Sequence, residues 1–203
     1  MTTWAIIPVK PLRESKRRLE HLLSADARAD LIHHFLDNLL AVLNETPGID
    51  RILLVSSDTV VCTLGQKYGA ELLIEAAPAG LNAAAARGAA HAARLGATAV
   101  LVLPADLPFI TVADVEAMLR PLDGSPAPLL AIGGDEAEDG TNALLLAPPG
   151  DFTFRYGPGS YQAHLDEAAA RLRAAHIIDA PGLRFDLDTE GDWLVYSGYV
   201  VGR

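Results

Sequence analysis

Only one cysteine, Cys62, occurs among 203 residues, and a single thiol can neither close an internal disulfide nor supply a cysteine-based zinc site. Positive charge is also short: 16 Lys and Arg face 26 Asp and Glu, a formal net charge of −10. General nucleic-acid and anionic-membrane binders need a basic surface that displaces counterions, so neither role suits this chain. Any anionic ligand must therefore meet a local basic patch. No apolar run reaches the roughly 18 residues of a membrane span. The start Met-Thr-Thr-Trp-Ala-Ile-Ile-Pro carries neither the basic nor the apolar region of a signal peptide, and the expected location is the cytoplasm. Repeats and low-complexity linkers are missing, which leaves a single domain over 1–203. The sequence holds no Walker-type Gly-x-x-x-x-Gly-Lys run and no Ser-His-Asp pattern, and the segment Pro8-Val9-Lys10-Pro11 contains no glycine.

What is present is concentrated. Five of the 16 Lys and Arg fall at positions 10 to 18. They follow an apolar run, Trp4 to Val9, that reads as a buried first strand. A cation-rich loop after a strand suits a polyphosphate, with Arg giving forked hydrogen bonds and Lys a point charge. Ser24 then caps a helix whose Leu31, Phe35, Leu39 and Leu43 form a core-facing stripe, with His33 and His34 as bystanders. Strands are expected at 51–58 and 70–74 with a helix between them to about Lys67. The turn Pro78-Ala79-Gly80-Leu81-Asn82 leads into an alanine-rich helix from Ala83 to Leu95, with Gly80 and Asn82 either capping it or approaching a planar base. Alternating strands and helices of this kind build parallel βαβ units.

The strand Val100 to Leu103 ends in Pro104-Ala105-Asp106-Leu107-Pro108, which sets one carboxylate just past its carboxyl end, where open α/β sheets bind ligands. Asp106 either caps the next helix or holds Mg²⁺, which takes few oxygen ligands from protein. Thr111 is the expected cap of the helix beginning near Val112. A strand pair, 129–132 and 143–146, flanks the acidic loop 133–142, whose end Gly140-Thr141-Asn142 offers a hydroxyl and an amide to a small anion. Gly157-Pro158-Gly159-Ser160 opens a helix expected to run to about Ala174 with Ser160 as N-cap, an arrangement suited to an anion. His164, four residues on, backs that site or packs. A short alternating strand over 183–190 points Phe185 and Leu187 one way and Asp186 and Asp188 the other. Asp188 or Thr189 would cap a last helix around Asp192 to Tyr196. A basic loop, one acid at a middle strand's end and a late acid pair together suit nucleotidyl transfer.

The ordered set Ile7-Pro8-Val9-Lys10 with Lys16-Arg17-Arg18-Leu19, Gly80-Leu81-Asn82, Leu103-Pro104-Ala105-Asp106-Leu107-Pro108, Asp139-Gly140-Thr141-Asn142-Ala143-Leu144, Tyr156-Gly157-Pro158-Gly159-Ser160 and Asp186-Leu187-Asp188-Thr189 resembles the guanylyltransferases that use phosphoenolpyruvate or 2-phospho-L-lactate in making the deazaflavin coenzyme F-420. The match covers nearly the whole chain, with Arg17 in place of a small residue and Tyr156 in place of Phe. The resemblance implies a Rossmann-like three-layer α/β/α nucleotidyltransferase sandwich with a mostly parallel mixed sheet. It implies transfer of GMP from GTP to a phosphorylated three-carbon acid, with release of pyrophosphate and passage of the product to a downstream transferase. Carried over by position, Lys10, Lys16 and Arg18 line the triphosphate, and Asp106 and Asp188 hold Mg²⁺. Thr141, Gly157 and Ser160 bind the acid; Pro8, Gly80 and Asn82 lie by the nucleotide. The attacking phosphate monoester is anionic at neutral pH and needs no general base. Alternatives are a molybdenum-cofactor guanylyltransferase or sugar-phosphate cytidylyltransferase, against which the glycine-free Pro8-Val9-Lys10-Pro11 argues, and a non-catalytic nucleotide-binding subunit, against which Asp106 and Asp188 argue. Oligomeric state is left open.

Overall fold

A computed structural model describes residues 1–76 and 80–201; Pro78 and Ala79 of the expected turn lie outside the described residues. Seven strands form one sheet: β1 Thr3–Pro8, β2 Arg51–Ser56, β3 Glu71–Ile74, β4 Ala99–Val102, β5 Leu129–Gly134, β6 Thr141–Ala147 and β7 Ala174–Ile177. Their spatial order is β3-β2-β1-β4-β6-β5-β7. β1 pairs in parallel with β2 and β4, β2 with β3, and β5 with β7, whereas β6 runs antiparallel to both β4 and β5. The sheet is therefore mixed and mostly parallel, as expected, and β6 alone is reversed.

Helices α1 Ala25–Glu45, α2 Thr59–Lys67, α3 Leu81–Arg94, α4 Val112–Leu119, α5 Pro121–Gly124, α6 Ser160–Ala170 and α7 Glu190–Val201 complete the architecture. The buried strands have apolar residues on both faces because each face packs on helices. Ala5, Ile7, Leu101 and Leu103 join the core under α1, α2 and α4, while Trp4, Ile6, Val100 and Val102 join the core under α3 and α6. On α1, Phe35, Leu39 and Leu43 are buried and Leu31 packs at the margin, so the expected stripe is real. The small residues Ala84, Ala85, Gly88, Ala89 and Ala92 let α3 lie close on the sheet. A Cβ at Gly88 would stand 2.6 Å from Ile6 Cγ2.

Three expectations need correction. The helix opened by Ser160 stops at Ala170 and not at Ala174, because the chain reverses through Leu172 (φ 54°) and Ala174–Ile177 becomes the edge strand β7. Alanine and histidine there carry no strand pattern; pairing with β5 imposes it. The segment 183–190 forms no strand. Its alternation is nonetheless kept, with Leu187 fully buried and Phe185 packed on the core. Finally, Ser160 is the first helical residue, and the N-cap is Gly159, whose left-handed φ of 70° favours glycine.

Candidate active site

Parallel strands β1 and β4 end beside one another, and the loops leaving them enclose a cavity of about 300 Å³ lined by Pro8, Lys10, Lys16, Gly80, Asp106 and Asp188 among others. Local chain chemistry holds this shape. After β1 the basic loop makes two short 3-10 turns, Leu12–Glu14 and Arg17–Leu19. It is pinned from both sides: the Leu12 N–H donates to Asp58 Oδ2 (2.9 Å), and buried Arg28 of α1 donates to the carbonyls of Ser15 (3.1 Å) and Leu23 (2.8 Å). Lys16 between the turns has a left-handed backbone (φ 52°). A non-glycine residue in that region costs free energy and persists where the surroundings enforce it.

The Lys16 ammonium lies between Asp106 and Asp188, bonded to Asp106 and 2.6 Å from Asp188 Oδ1. Burial, the largest single influence, works against its charge, but the two carboxylates outweigh it and hold the lysine above its ordinary value. Asp188 is likewise buried enough to favour protonation, yet Lys16, then Arg18 and Lys10, keep it below the usual carboxylate range. Arg18 approaches Asp188 at 3.6 Å from the exposed side. Asp186 is pushed up to about 6, first by burial and then by the charges of Asp106 and Asp188.

Neither acid is spent on capping a helix. Helix α4 is capped by Thr111, whose side chain and Asp114 form a reciprocal capping box, so Asp106 has no capping duty. At α7, Asp192 Oδ2 accepts from the Thr189 N–H (2.6 Å) and hydroxyl (2.8 Å), and Thr189 returns a bond to the Asp192 N–H (3.3 Å). That leaves the Asp188 carboxylate to face Lys16. Two hard carboxylates converging on one cation suit a divalent ion that takes its remaining ligands from water and phosphate. Among the described residues no group of three or more His, Cys, Asp or Glu is arranged to hold a metal on its own.

The second cluster lies along the same rim. Because β6 is reversed, its first residue, Thr141, sits at the carboxyl ends of the parallel strands. Buried Thr141 bonds His164 of α6 (Oγ1 to Nδ1, 2.9 Å), and buried Ser160 opens α6. Of the loop acids Glu136, Glu138 and Asp139 are exposed and Asp135 is half-buried, and two of the four brace the loop. The Asp139 carboxylate accepts from the Gly159 N–H (3.2 Å) and its backbone carbonyl from the Tyr161 N–H (3.1 Å), while the Asp135 carboxylate accepts from the Gly140 N–H (2.8 Å). Asn142, next to Thr141, donates to the Leu183 carbonyl (2.8 Å), which ties this cluster to the segment that carries Asp186 and Asp188.

Asn82 does not line the cavity. Its amide is taken by the backbone of Tyr156, donating to the carbonyl (3.0 Å) and accepting from the N–H (2.6 Å), so it ties the first turn of α3 to the loop before α6. Gly80, with φ 87°, is the N-cap of α3 and does line the cavity. Sequence reasoning missed Glu75, a buried acid in the cavity wall paired with Arg87. Its only signal was a carboxylate directly after the Leu72-Leu73-Ile74 run.

Residues 3–196 match the family described as guanylyl transferase CofC like. The chain belongs to that family. It is 41% identical over 192 residues to a phosphoenolpyruvate guanylyltransferase of Rubrobacter xylanophilus, covering 95% of this chain and 92% of the relative. A protein of the same name from Sphaerobacter thermophilus is 35% identical, over 98% and 94% of the two chains. Among solved structures, a Desulfovibrio desulfuricans chain described as a nucleotide-diphospho-sugar transferase superposes with a TM-score of 0.76 at 18% identity, over 97% and 87%. The 4-diphosphocytidyl-2C-methyl-D-erythritol synthase of Anaerococcus prevotii gives 0.66 at 12%, over 98% of each chain. Sequence thus carries the family, and structure the α/β nucleotidyltransferase fold.

Proposed function

We propose that this guanylyltransferase transfers GMP from GTP to phosphoenolpyruvate, releasing pyrophosphate, as a step in making a deazaflavin coenzyme of the F-420 type. The observation that carries the reading is the rim itself: a cavity with Lys10 and Lys16 opens at one end, two acids converge in the middle, and Thr141 and Ser160 lie at the other. The relatives' name favours phosphoenolpyruvate over 2-phospho-L-lactate.

In the proposed reaction a phosphate oxygen of the acceptor attacks the α-phosphorus of GTP. The bond to the oxygen bridging α- and β-phosphorus breaks, and its electron pair leaves with pyrophosphate. The attacking phosphate is already anionic, so no side chain need remove a proton. Catalysis is then positioning and charge neutralisation. Lys10, Lys16 and Arg18 offset the triphosphate charge, with Arg18 entering from solvent. Asp106 and Asp188 would hold a divalent metal, which when bound would offset charge on the phosphates. Glu75 supports guanine as the base. One of its oxygens is paired with Arg87, and the other would accept from the N1–H of guanine, where adenine and cytosine each present a ring-nitrogen acceptor. The expected fate of the product is transfer to a downstream enzyme. Among the described residues no helix is long and apolar enough to cross a membrane.

The test is pyrophosphate release with GTP, Mg²⁺ and a panel of phosphorylated three-carbon acids, with ATP and CTP as controls. Release that depends on GTP and phosphoenolpyruvate is expected; none with any acid would refute the reading.

A further inference from the structure

The seat of His164 determines more than packing. The ring is fully buried, edge-on to Tyr156 with centroids 4.9 Å apart and tilted against Phe152 at 5.8 Å. Both ring nitrogens have partners. The backbone N–H of Arg155 donates to Nε2 (2.9 Å), so Nε2 carries no proton and acts as an acceptor. A neutral imidazole then has its one proton on Nδ1, which faces Thr141 Oγ1 at 2.9 Å. Neutrality has its own causes: burial first, then the charge of Arg155, hold His164 down to about 4, against a smaller opposing pull from Glu167. Nδ1–H therefore donates and Thr141 Oγ1 accepts.

This direction has a consequence for the hydroxyl. Its own hydrogen cannot point at His164, and among the described residues Thr141 Oγ1 makes no other hydrogen bond. An unconstrained threonine hydroxyl rotates and can present a lone pair or a proton; this one is held with its proton turned away from His164. Thr141 opens β6 on the rim at the carboxyl ends of the parallel strands, next to Asn142, which donates to the Leu183 carbonyl. We propose that His164 is a positioning residue that fixes the Thr141 hydroxyl as a hydrogen-bond donor to an anionic oxygen of the acceptor acid. The proposal rests on the guanylyltransferase reading above and on Thr141 serving the acceptor.

The test combines kinetics with a spectroscopic signature on the full-length enzyme. His164→Leu should raise the KM for phosphoenolpyruvate about 10- to 100-fold, the loss typical of one hydrogen bond to a charged group. The KM for GTP and kcat should stay within about twofold of the unsubstituted enzyme. Thr141→Val should give a similar acceptor defect, and the double variant should be no worse than either single one, because both remove the same bond. His164→Asn, whose amide keeps a donor at the Nδ1 position, should recover most of the affinity. Nitrogen NMR of the unsubstituted protein should show a neutral ring protonated on Nδ1. A ring protonated on Nε2 would overturn the proposal, as would multiplicative losses or equal defects toward GTP. If His164→Leu fails to fold, the ring tautomer and the comparison of Thr141→Val with Thr141→Ser still decide it. Absence of turnover in the unsubstituted enzyme overturns the transferase reading instead. Failure of the His164 proposal shows as full turnover with an unchanged acceptor KM in His164→Leu.

Discussion

Lys16→Met tests the central ion cluster most directly. The side chain of Lys16 is only 4% exposed, while its partners Asp106 and Asp188 are 25% and 47% exposed. Breaking a buried pair by removing one member costs about 3–5 kcal/mol, because the remaining charge is left uncompensated. The Asp106 contact falls near that class. The half-exposed Asp188 contact is screened and worth at most about 1 kcal/mol. Methionine retains much of the buried stem, and solvent can reach both acids, so the net loss should be about 2–3 kcal/mol. For a chain of this size that lowers Tm by about 5–10 °C. The assay is thermal and urea unfolding with a chelator present, repeated with millimolar Mg²⁺. Without Lys16 the two carboxylates lack their internal cation, so Mg²⁺ should stabilise the variant more than the parent. The activity cost should be about 10²–10³ in kcat/KM for GTP, the usual penalty for removing one preorganised charge from a phosphate transition state. Equal stability of the two proteins in chelator, together with equal gains from Mg²⁺, would refute Lys16 as the counter-cation of this pair.

Asp106→Ala should reduce turnover by several orders of magnitude, while His164→Ala should leave kcat largely intact, as steady-state kinetics at saturating acceptor will show. Asp186 gives a pH signature. Its folded-state value of about 6, against an ordinary 3.8, means that stability is lost as pH rises from about 4 through 6. The difference converts to about 3 kcal/mol, and solvent at this partly exposed carboxyl reduces it to about 1–1.5 kcal/mol. Asp186→Asn should therefore match the parent near pH 4 and exceed it by that amount at pH 8, measured by urea unfolding in chelator. Glu75→Gln should lower the preference for GTP over CTP and ATP about tenfold or more, since one acceptor is replaced by a donor; competition kinetics with nucleotide pairs reads this directly.

Much of the architecture was legible because buried parallel strands are continuous apolar runs, and β1, β2 and β4 are of that kind. β7 was not, because Ala174-Ala175-His176-Ile177 is an exposed edge strand whose conformation comes from pairing with β5. The segment from Leu183 to Glu190 errs the other way. It alternates as a strand does because its apolar residues pack on the core, yet no neighbour pairs with it. At the site, residue type and position pointed to the basic loop, to Asp106 and to the pair Asp186 and Asp188; the resemblance singled out Lys16 and Asp188, and long-range folding brings Lys16, Asp106 and Asp188 into one cluster. Local spacing could not reveal what Asn82 and Glu75 do. The partner of Asn82 lies 74 residues away, and Glu75 matters only because the ends of β1 and β3 face one cavity.

The reversed strand β6 has a bearing on how such an enzyme can diversify. The parallel half of the sheet, β3-β2-β1-β4, supplies the cavity with its cations, and the hairpin of β5 and β6 delivers its connecting loop and Thr141 to the same rim from the opposite direction. In the proposed reaction donor and acceptor would be served by separate stretches of chain, joined by the row of acids and by the Asn82 bonds to Tyr156. Residues can be added to or exchanged in the loop between Gly134 and Thr141 without shifting the register of β1 or β4. A change of acceptor acid can then arise while the nucleotide pocket stays as it is, which makes the hairpin loop the natural place to redesign what receives the GMP.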